Sequence, residues 1–217
     1  MGLKKAESPN RKSEPKKAES PCRKWGPKNE VGVIAYLVFI KRSSMENLRI
    51  YRIQNKYIRY LSGADSRVQY NKDARRPYVG IVLTVGSYRY FVPMESPKPN
   101  HKMLKQSIHI MPIDGGNYGQ LGFNNMIPVP QSAIIEFDIA NEPDKAYAEL
   151  LKRQATYINR HKADVYNRAS KTYFRATTKN KDNFFVRICC DFKRLEHACD
   201  NYNPNYKAKR KDKAIRK

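Results

Sequence analysis

The run RPYVGIVLTVGSYRYFVPM, residues 76–94, constrains the fold more than any other segment of the chain. It holds two stretches rich in Val, Ile, Tyr and Phe, separated by Gly86-Ser87. β-Branched and aromatic side chains suit a pleated, half-buried surface. Glycine reaches the positive φ that a tight hairpin turn demands. The segment therefore predicts two antiparallel strands, and a lone hairpin is marginal in water unless further strands or a helix layer complete it. Neighbouring segments supply both. NLRIYRI (47–53) alternates like a strand, and SIHIMPI (107–113) and AIIEFDI (133–139) read as strands. LGFNNMIPVP (121–130) is extended and bounded by prolines, while ESPKPNHK (95–102) and DGGNYGQ (114–120) are loops. NKYIRYLSGAD (55–65) sets Tyr57, Ile58 and Leu61 at helical spacing, with Gly63 as a stop signal. Residues Asn141 to Asp144 cap a helix over 145–161, with Tyr147, Leu150, Leu151, Ala155 and Ile158 on one face. Further helical pieces cover 163–176 and 183–199. Strands followed by helices predict an α+β domain, an antiparallel sheet packed by C-terminal helices.

The charge points to a polyanionic partner. The chain has 43 Lys+Arg against 20 Asp+Glu, a net charge of +23. The ends alone do not explain it, because residues 45–206 keep 25 basic against 15 acidic residues. A basic body attracts nucleic acid through screened Coulomb forces and counterion release. The 15 Tyr and 8 Phe include rings suited to stacking on unpaired bases, although most must serve as core. No helix-turn-helix or zinc-finger spacing is evident, which argues against a DNA-binding regulator. The four cysteines, Cys22, Cys189, Cys190 and Cys199, form no CxxC pair. They read as reduced thiols of a cytoplasmic protein rather than a disulfide framework or a zinc site. No metal and no other cofactor is expected.

The first forty residues have a different texture. KKAESPNRKSEP (4–15) and KKAESPCRKWGP (16–27) align without a gap, a period of 12 residues. Low hydrophobicity, proline and charge predict disorder there, and the basic residues from 207 to 217 form a second disordered tail. VGVIAYLVFI (31–40) has ten residues, and a bilayer span needs about 20. A membrane location is not expected.

Four segments in order, IYRIQNKYIRYL, RRPYVGIVL, YRYFVPMESPK and QLGFNNMIPVP, resemble the ToxN/AbiQ family, the protein toxins of type III toxin–antitoxin systems. The resemblance covers nearly all of the chain after Met45. It implies a twisted, barrel-like antiparallel sheet similar to that of Kid/MazF-type toxins, packed by C-terminal helices. It also implies an endoribonuclease that cuts single-stranded cellular or phage RNA without metal, leaving a 2′,3′-cyclic phosphate. The implied inhibitor is a tandem-repeat RNA, folded as a pseudoknot and joined to the toxin in a closed ring. Abortive infection of phage or maintenance of a plasmid or locus would be the biological role. A non-catalytic basic RNA-binding protein is the alternative.

The resemblance assigns the chemistry to Ser96 and Lys98. RNA carries its own nucleophile, the 2′-hydroxyl, so the enzyme must align it, stabilise the phosphorane and assist proton transfer. The Lys98 ammonium is a compact charge suited to a non-bridging phosphate oxygen. The Ser96 hydroxyl can donate to the same phosphate, and Pro97 limits the freedom of the loop between them. Tyr57 matches the family's active-site tyrosine in the first helix, and Tyr70 matches a second one in the following loop. Tyr57 at helical spacing with Ile58 and Leu61 also reads as a core residue. Phe123 and Asn124 match a segment near the RNA groove, and Lys56, Arg59 and His101 are further candidates for RNA contact. Glu95 departs from the family pattern, which often has threonine there. It is either a general base or a partner that neutralises and positions Lys98.

The resemblance also bears on the repeat. Twelve codons are 36 nucleotides, and the family's antitoxin is encoded as repeats of that order just upstream of the toxin gene. Residues 1–44 then read as antitoxin DNA translated from a start codon placed too early, with the toxin domain over 45–206. A genuine disordered RNA-binding arm is the rival reading.

Overall fold

The computed structural model describes residues 47–99, 107–178 and 183–205. The 12-residue repeat, the apolar run 31–40, Met45, His101 and the basic tail from Lys207 lie outside the described residues.

The predicted hairpin is present. Strands β2 (Tyr78–Val85) and β3 (Tyr88–Glu95) pair antiparallel up to Val85 and Tyr88, and Gly86 takes the turn at φ +58°. Strand β1 (Arg49–Ile53) pairs with β2 on one side and with β7 (Ile134–Glu136) on the other. On the far side of the hairpin, β5 (Gln120–Gly122) joins β3, and β4 (Ile110–Pro112) joins β5. The order is β4-β5-β3-β2-β1-β7, with the short β6 (Ile127–Pro128) also on β3. Strand β3 thus bonds to three partners and stands at the centre of the sheet.

Helix α1 (Asn55–Ala64) follows β1, and α2 (Lys145–Arg160), α3 (Lys162–Thr177), α4 (Asn183–Ile188) and α5 (Phe192–Asp200) close the chain. The Asp144 carboxylate accepts from the Tyr147 amide, so the predicted cap of α2 forms. Its buried stripe is Ala148, Leu151, Gln154 and Ile158, one step round from the predicted face that included Leu150. Gly63 does not stop α1; the chain turns extended at Asp65 instead.

Three predicted segments are shorter or broken, each where tertiary hydrogen bonds or a local turn interrupt the pattern. Arg168 donates to the carbonyls of Ser107 and Ile110, so the strand expected over 107–113 is reduced to Ile110–Pro112. The extended segment 121–130 is interrupted by a 3-10 turn at Phe123–Asn125, which drives Phe123 into the core. The helix expected over 183–199 divides at Cys190, whose amide bonds to the Asn124 carbonyl, and restarts where the Asp191 side chain caps Arg194.

The core is built largely from rings. Tyr57, Tyr78, Tyr90, Phe91, Phe123 and Phe192 are fully buried. Buried hydroxyls need partners, and Glu196 on α5 provides one: its Oε1 accepts from Tyr90 at 2.8 Å and from Tyr173 at 2.7 Å. Its Oε2 accepts from Lys193 at 2.9 Å. Cys189 and Cys190 are buried free thiols, and burial pushes the Cys189 thiol up to about 12.

Asp65 locks α1 to the start of α5. It accepts from the Arg67 amide at 2.9 Å, the Arg67 Nε at 3.0 Å and the Asp191 amide at 2.6 Å. Burial alone would raise its carboxyl, but these hydrogen bonds and the Arg67 charge together hold it below the usual aspartate range. A depressed carboxyl stabilises the fold above its unfolded value and loses that contribution as pH falls through the folded one. Asp65→Asn should therefore lower stability at pH 7 by about 1–3 kcal/mol. The difference between urea melts of the two proteins should hold above about pH 4 and shrink progressively as the pH is lowered beyond it. A constant difference across that range would show that the charge is not what stabilises the contact.

Candidate active site

The end of β3 is pinned from one side by β5. Glu95 pairs with Gln120, and a Cβ placed on Gly119 would come within 1.9 Å of the Glu95 carbonyl oxygen. Gly119 also has φ +90°, so only glycine fits this approach without strain. Ser96, Pro97 and Lys98 leave the sheet directly after this pinned residue.

Ser96 lines a cleft of roughly 650 Å³. The opposite wall is the loop from Asp65 to Pro77, which carries Tyr70, Lys72, Arg75 and Arg76 into the cleft. That loop makes a left-handed turn through Lys72, Asp73 and Ala74, at φ 48°, 55° and 65°. Non-glycine residues resist this conformation by about 1–2 kcal/mol each. Buried Asn71 holds the turn from below, donating its Nδ2 to the Ile53 carbonyl at 2.8 Å. The Arg76 guanidinium ties the loop to β3, with Nε on the Tyr70 carbonyl at 2.9 Å and Nη1 on that of Met94 at 3.4 Å. Tyr70 is 49% exposed and donates its hydroxyl to Asp73 at 2.9 Å. Arg52 forms a third side of the cleft, stacked 3.8 Å from the Phe137 ring centroid and paired with Glu142 at 3.0 Å.

Lys98 projects toward solvent, its side chain 59% exposed, with Nζ 3.8 Å from Glu95 Oε2. The Glu95 carboxylate is held on both sides. Gln69 Nε2 donates to Oε1 at 3.1 Å and Gln120 Nε2 to Oε2 at 3.0 Å.

The structure thus gathers Ser96, Lys98, Glu95 and, through Arg76, Tyr70. It does not gather the other candidates. Tyr57 is fully buried, and its hydroxyl donates to the Pro128 carbonyl at 2.7 Å. Burial pushes its phenol far above the ordinary tyrosine value. Tyr57 takes the core position that its helical spacing also predicted: its ring packs edge-on against Tyr202 and does not line the cleft. Phe123 is likewise fully buried, with no ring face exposed on which a base could stack in this structure. Asn124 bonds Nδ2 to the Ile188 carbonyl at 3.2 Å, joining the β5 turn to the end of α4. Lys56 turns away to the Pro204 carbonyl at 2.7 Å, whereas Arg59 reaches Asp73 of the left-handed turn at 4.0 Å.

Arg52, Arg75 and Arg76 were not singled out from the sequence. Arg75-Arg76 before Pro77 is a basic pair at a strand entrance, a signal that existed; Arg52 sits inside a strand pattern and gives none. Among the described residues there is no group of three or more His, Cys, Asp or Glu able to hold a metal. The cleft gathers the cations of Arg52, Lys72, Arg75 and Arg76, the Ser96 hydroxyl and the Tyr70 phenol, beside the carboxylates of Asp73, Glu142 and Asp144; its arginines and lysine suit a phosphodiester.

Comparison with known proteins agrees. A family model described as Toxin ToxN, type III toxin-antitoxin system, matches residues 49–200. A Bacillus thuringiensis subsp. kurstaki protein named Endoribonuclease ToxN is 35% identical over 182 residues, 80% of this chain and 94% of the relative. Endoribonuclease AbiQ of Lactococcus lactis subsp. lactis is 29% identical over 176 residues, 76% of this chain and 94% of the relative. A solved type III toxin, described as selectively inhibited by a non-coding RNA pseudoknot, superposes with a TM-score of 0.65 at 33% identity, covering 72% of this chain and 98% of that one. The structure of AbiQ, described as a lactococcal anti-phage endoribonuclease, gives 0.63 at 29% identity, covering 71% and 97%.

Proposed function

The chain belongs to the ToxN toxin family of type III toxin–antitoxin systems, and from that premise we propose that it cuts RNA in the cleft beside Ser96 and Lys98. It is an endoribonuclease, inhibited by an RNA pseudoknot antitoxin, and its role is the anti-phage one of its lactococcal relative. Among the described residues no helix is long and apolar enough to cross a membrane. RNA as substrate and buried free thiols support the cytoplasm as its working compartment.

The observation that carries the site is that Ser96, at the pinned end of β3, lines a cleft that also holds Arg52, Lys72, Arg75 and Arg76, with the exposed Lys98 two residues further on. In the proposed reaction the substrate's 2′-oxygen forms a bond to phosphorus while the bond to the 5′-oxygen breaks. The 2′-hydroxyl loses its proton and the departing 5′-oxygen gains one. Lys98 neutralises charge growing on a non-bridging oxygen, and Ser96 donates a hydrogen bond to the same phosphate. The exposed Tyr70 phenol orients the reacting hydroxyl or carries its proton. Arg75 and Arg76 hold flanking phosphates, and no step requires a metal.

Single-stranded RNA incubated with the protein in EDTA should be cut, leaving 2′,3′-cyclic phosphate and 5′-hydroxyl ends. Intact RNA in EDTA would count against metal-free cutting. Fragments with 5′-phosphates would exclude attack by the 2′-oxygen.

A further inference from the structure

The structure is built around the charge of Glu95. Two amide donors converge on it from different segments, Gln69 ahead of Tyr70 and Gln120 at the start of β5. A threonine there would be too short to accept from both amides in their present places. Gln120 is only 7% exposed, and the Glu95 backbone is fixed by its pairing with Gln120 and by Gly119. The carboxylate therefore cannot follow Lys98 when the lysine moves. Lys98 can move, because it is exposed and its 3.8 Å contact is longer than a charge-assisted hydrogen bond of about 2.7–2.9 Å.

We propose that Glu95 is a resident counter-anion, occupying Lys98 until an RNA phosphate displaces it, and that it thereby sets the affinity of the site for RNA. This rests on the reading of Lys98 as a phosphate ligand. In the free protein Glu95 holds the ammonium near its working place and lowers the local positive potential. When the phosphate arrives, Lys98 turns to it, and the carboxylate keeps its two amide hydrogen bonds. Glu95 then recaptures a cation from solution, which offsets part of the counterion release that phosphate binding gives. Glu95 is in this sense a positioning and specificity residue acting through Lys98. It favours RNAs that bring several phosphates to the cleft over weaker anions.

The test uses an RNA with a 2′-deoxy substitution at the cut site, so that binding is read without cleavage. Glu95→Gln should bind it about fivefold more tightly than the natural protein, the scale of an exposed ion pair. The plot of log Kd against log salt should steepen by about 0.7, one phosphate contact on a single strand. Neither change should appear when Lys98→Ala is already present. Glu95→Thr gives the same readout if thermal melting shows that Glu95→Gln is poorly folded. Unchanged or weaker binding, an unchanged slope, or tightening that persists in the Lys98→Ala background would overturn the counter-anion role. If Lys98→Ala binds and cuts like the natural protein, the reading of the site itself fails, and that result is separate from the other two.

Discussion

Lys98→Ala should slow the cleavage of single-stranded RNA by about 10²- to 10³-fold, the usual loss when one preorganised donor to a developing oxyanion is removed. The same variant should melt at the temperature of the natural protein. Its side chain is 59% exposed, and its ion pair with Glu95 lies at the surface, where such pairs contribute at most about 1 kcal/mol. Lys98→Arg should recover only part of the rate, because a planar fork does not place its charge where a compact ammonium does. Single-turnover cleavage of a defined oligonucleotide, alongside calorimetry, separates the two effects. A rate within threefold of the natural protein would remove Lys98 from the mechanism.

For Tyr57 the expected pattern is reversed. Tyr57→Ala should cost about 3–5 kcal/mol of stability, the scale for emptying a buried aromatic site. Tyr57→Phe removes only the hydroxyl and leaves the Pro128 carbonyl without its donor, a cost of about 1–2 kcal/mol. Below its lowered melting temperature it should cut RNA at the natural rate. A folded Tyr57→Phe protein with a hundredfold lower rate would return this tyrosine to the site, through a rearrangement that opens the core at α1.

These two residues mark what was legible in the sequence and what was not. The hairpin was legible because its alternation, its β-branched content and its glycine turn agree with one another, and the capped helix α2 for similar reasons. Ser96 and Lys98 were singled out by the family resemblance, because Ser-Pro-Lys after a strand is by itself only a common solvated turn. For Tyr57, helical spacing with Ile58 and Leu61 pointed to the core, and the family match pointed to the site. The packing agrees with the spacing. Phe123 misled because an apolar segment between prolines reads as extended, and only the tertiary bonds of Asn124 to Ile188 and Cys190 bend it into a turn. Gln69 and Gln120 left no trace in the sequence, and the Arg75-Arg76 pair before Pro77 signalled charge but not what Arg76 would bind. Each matters through a partner on another segment, such as Glu95 or the Met94 carbonyl, and no local pattern encodes such a pairing.

The way α5 closes the fold also bears on how the protein is made. Chains emerge from the ribosome N-terminus first. A nascent chain that has emerged only as far as α3 already carries Ser96 and Lys98. It still lacks Glu196 for the buried Tyr90 hydroxyl, Cys190 for the Asn124 carbonyl and the Asp191 amide for Asp65. The frame behind the cleft is therefore finished last. A chain cut short after α3 should therefore lose the packed frame that places the end of β3, and with it Ser96 and Lys98.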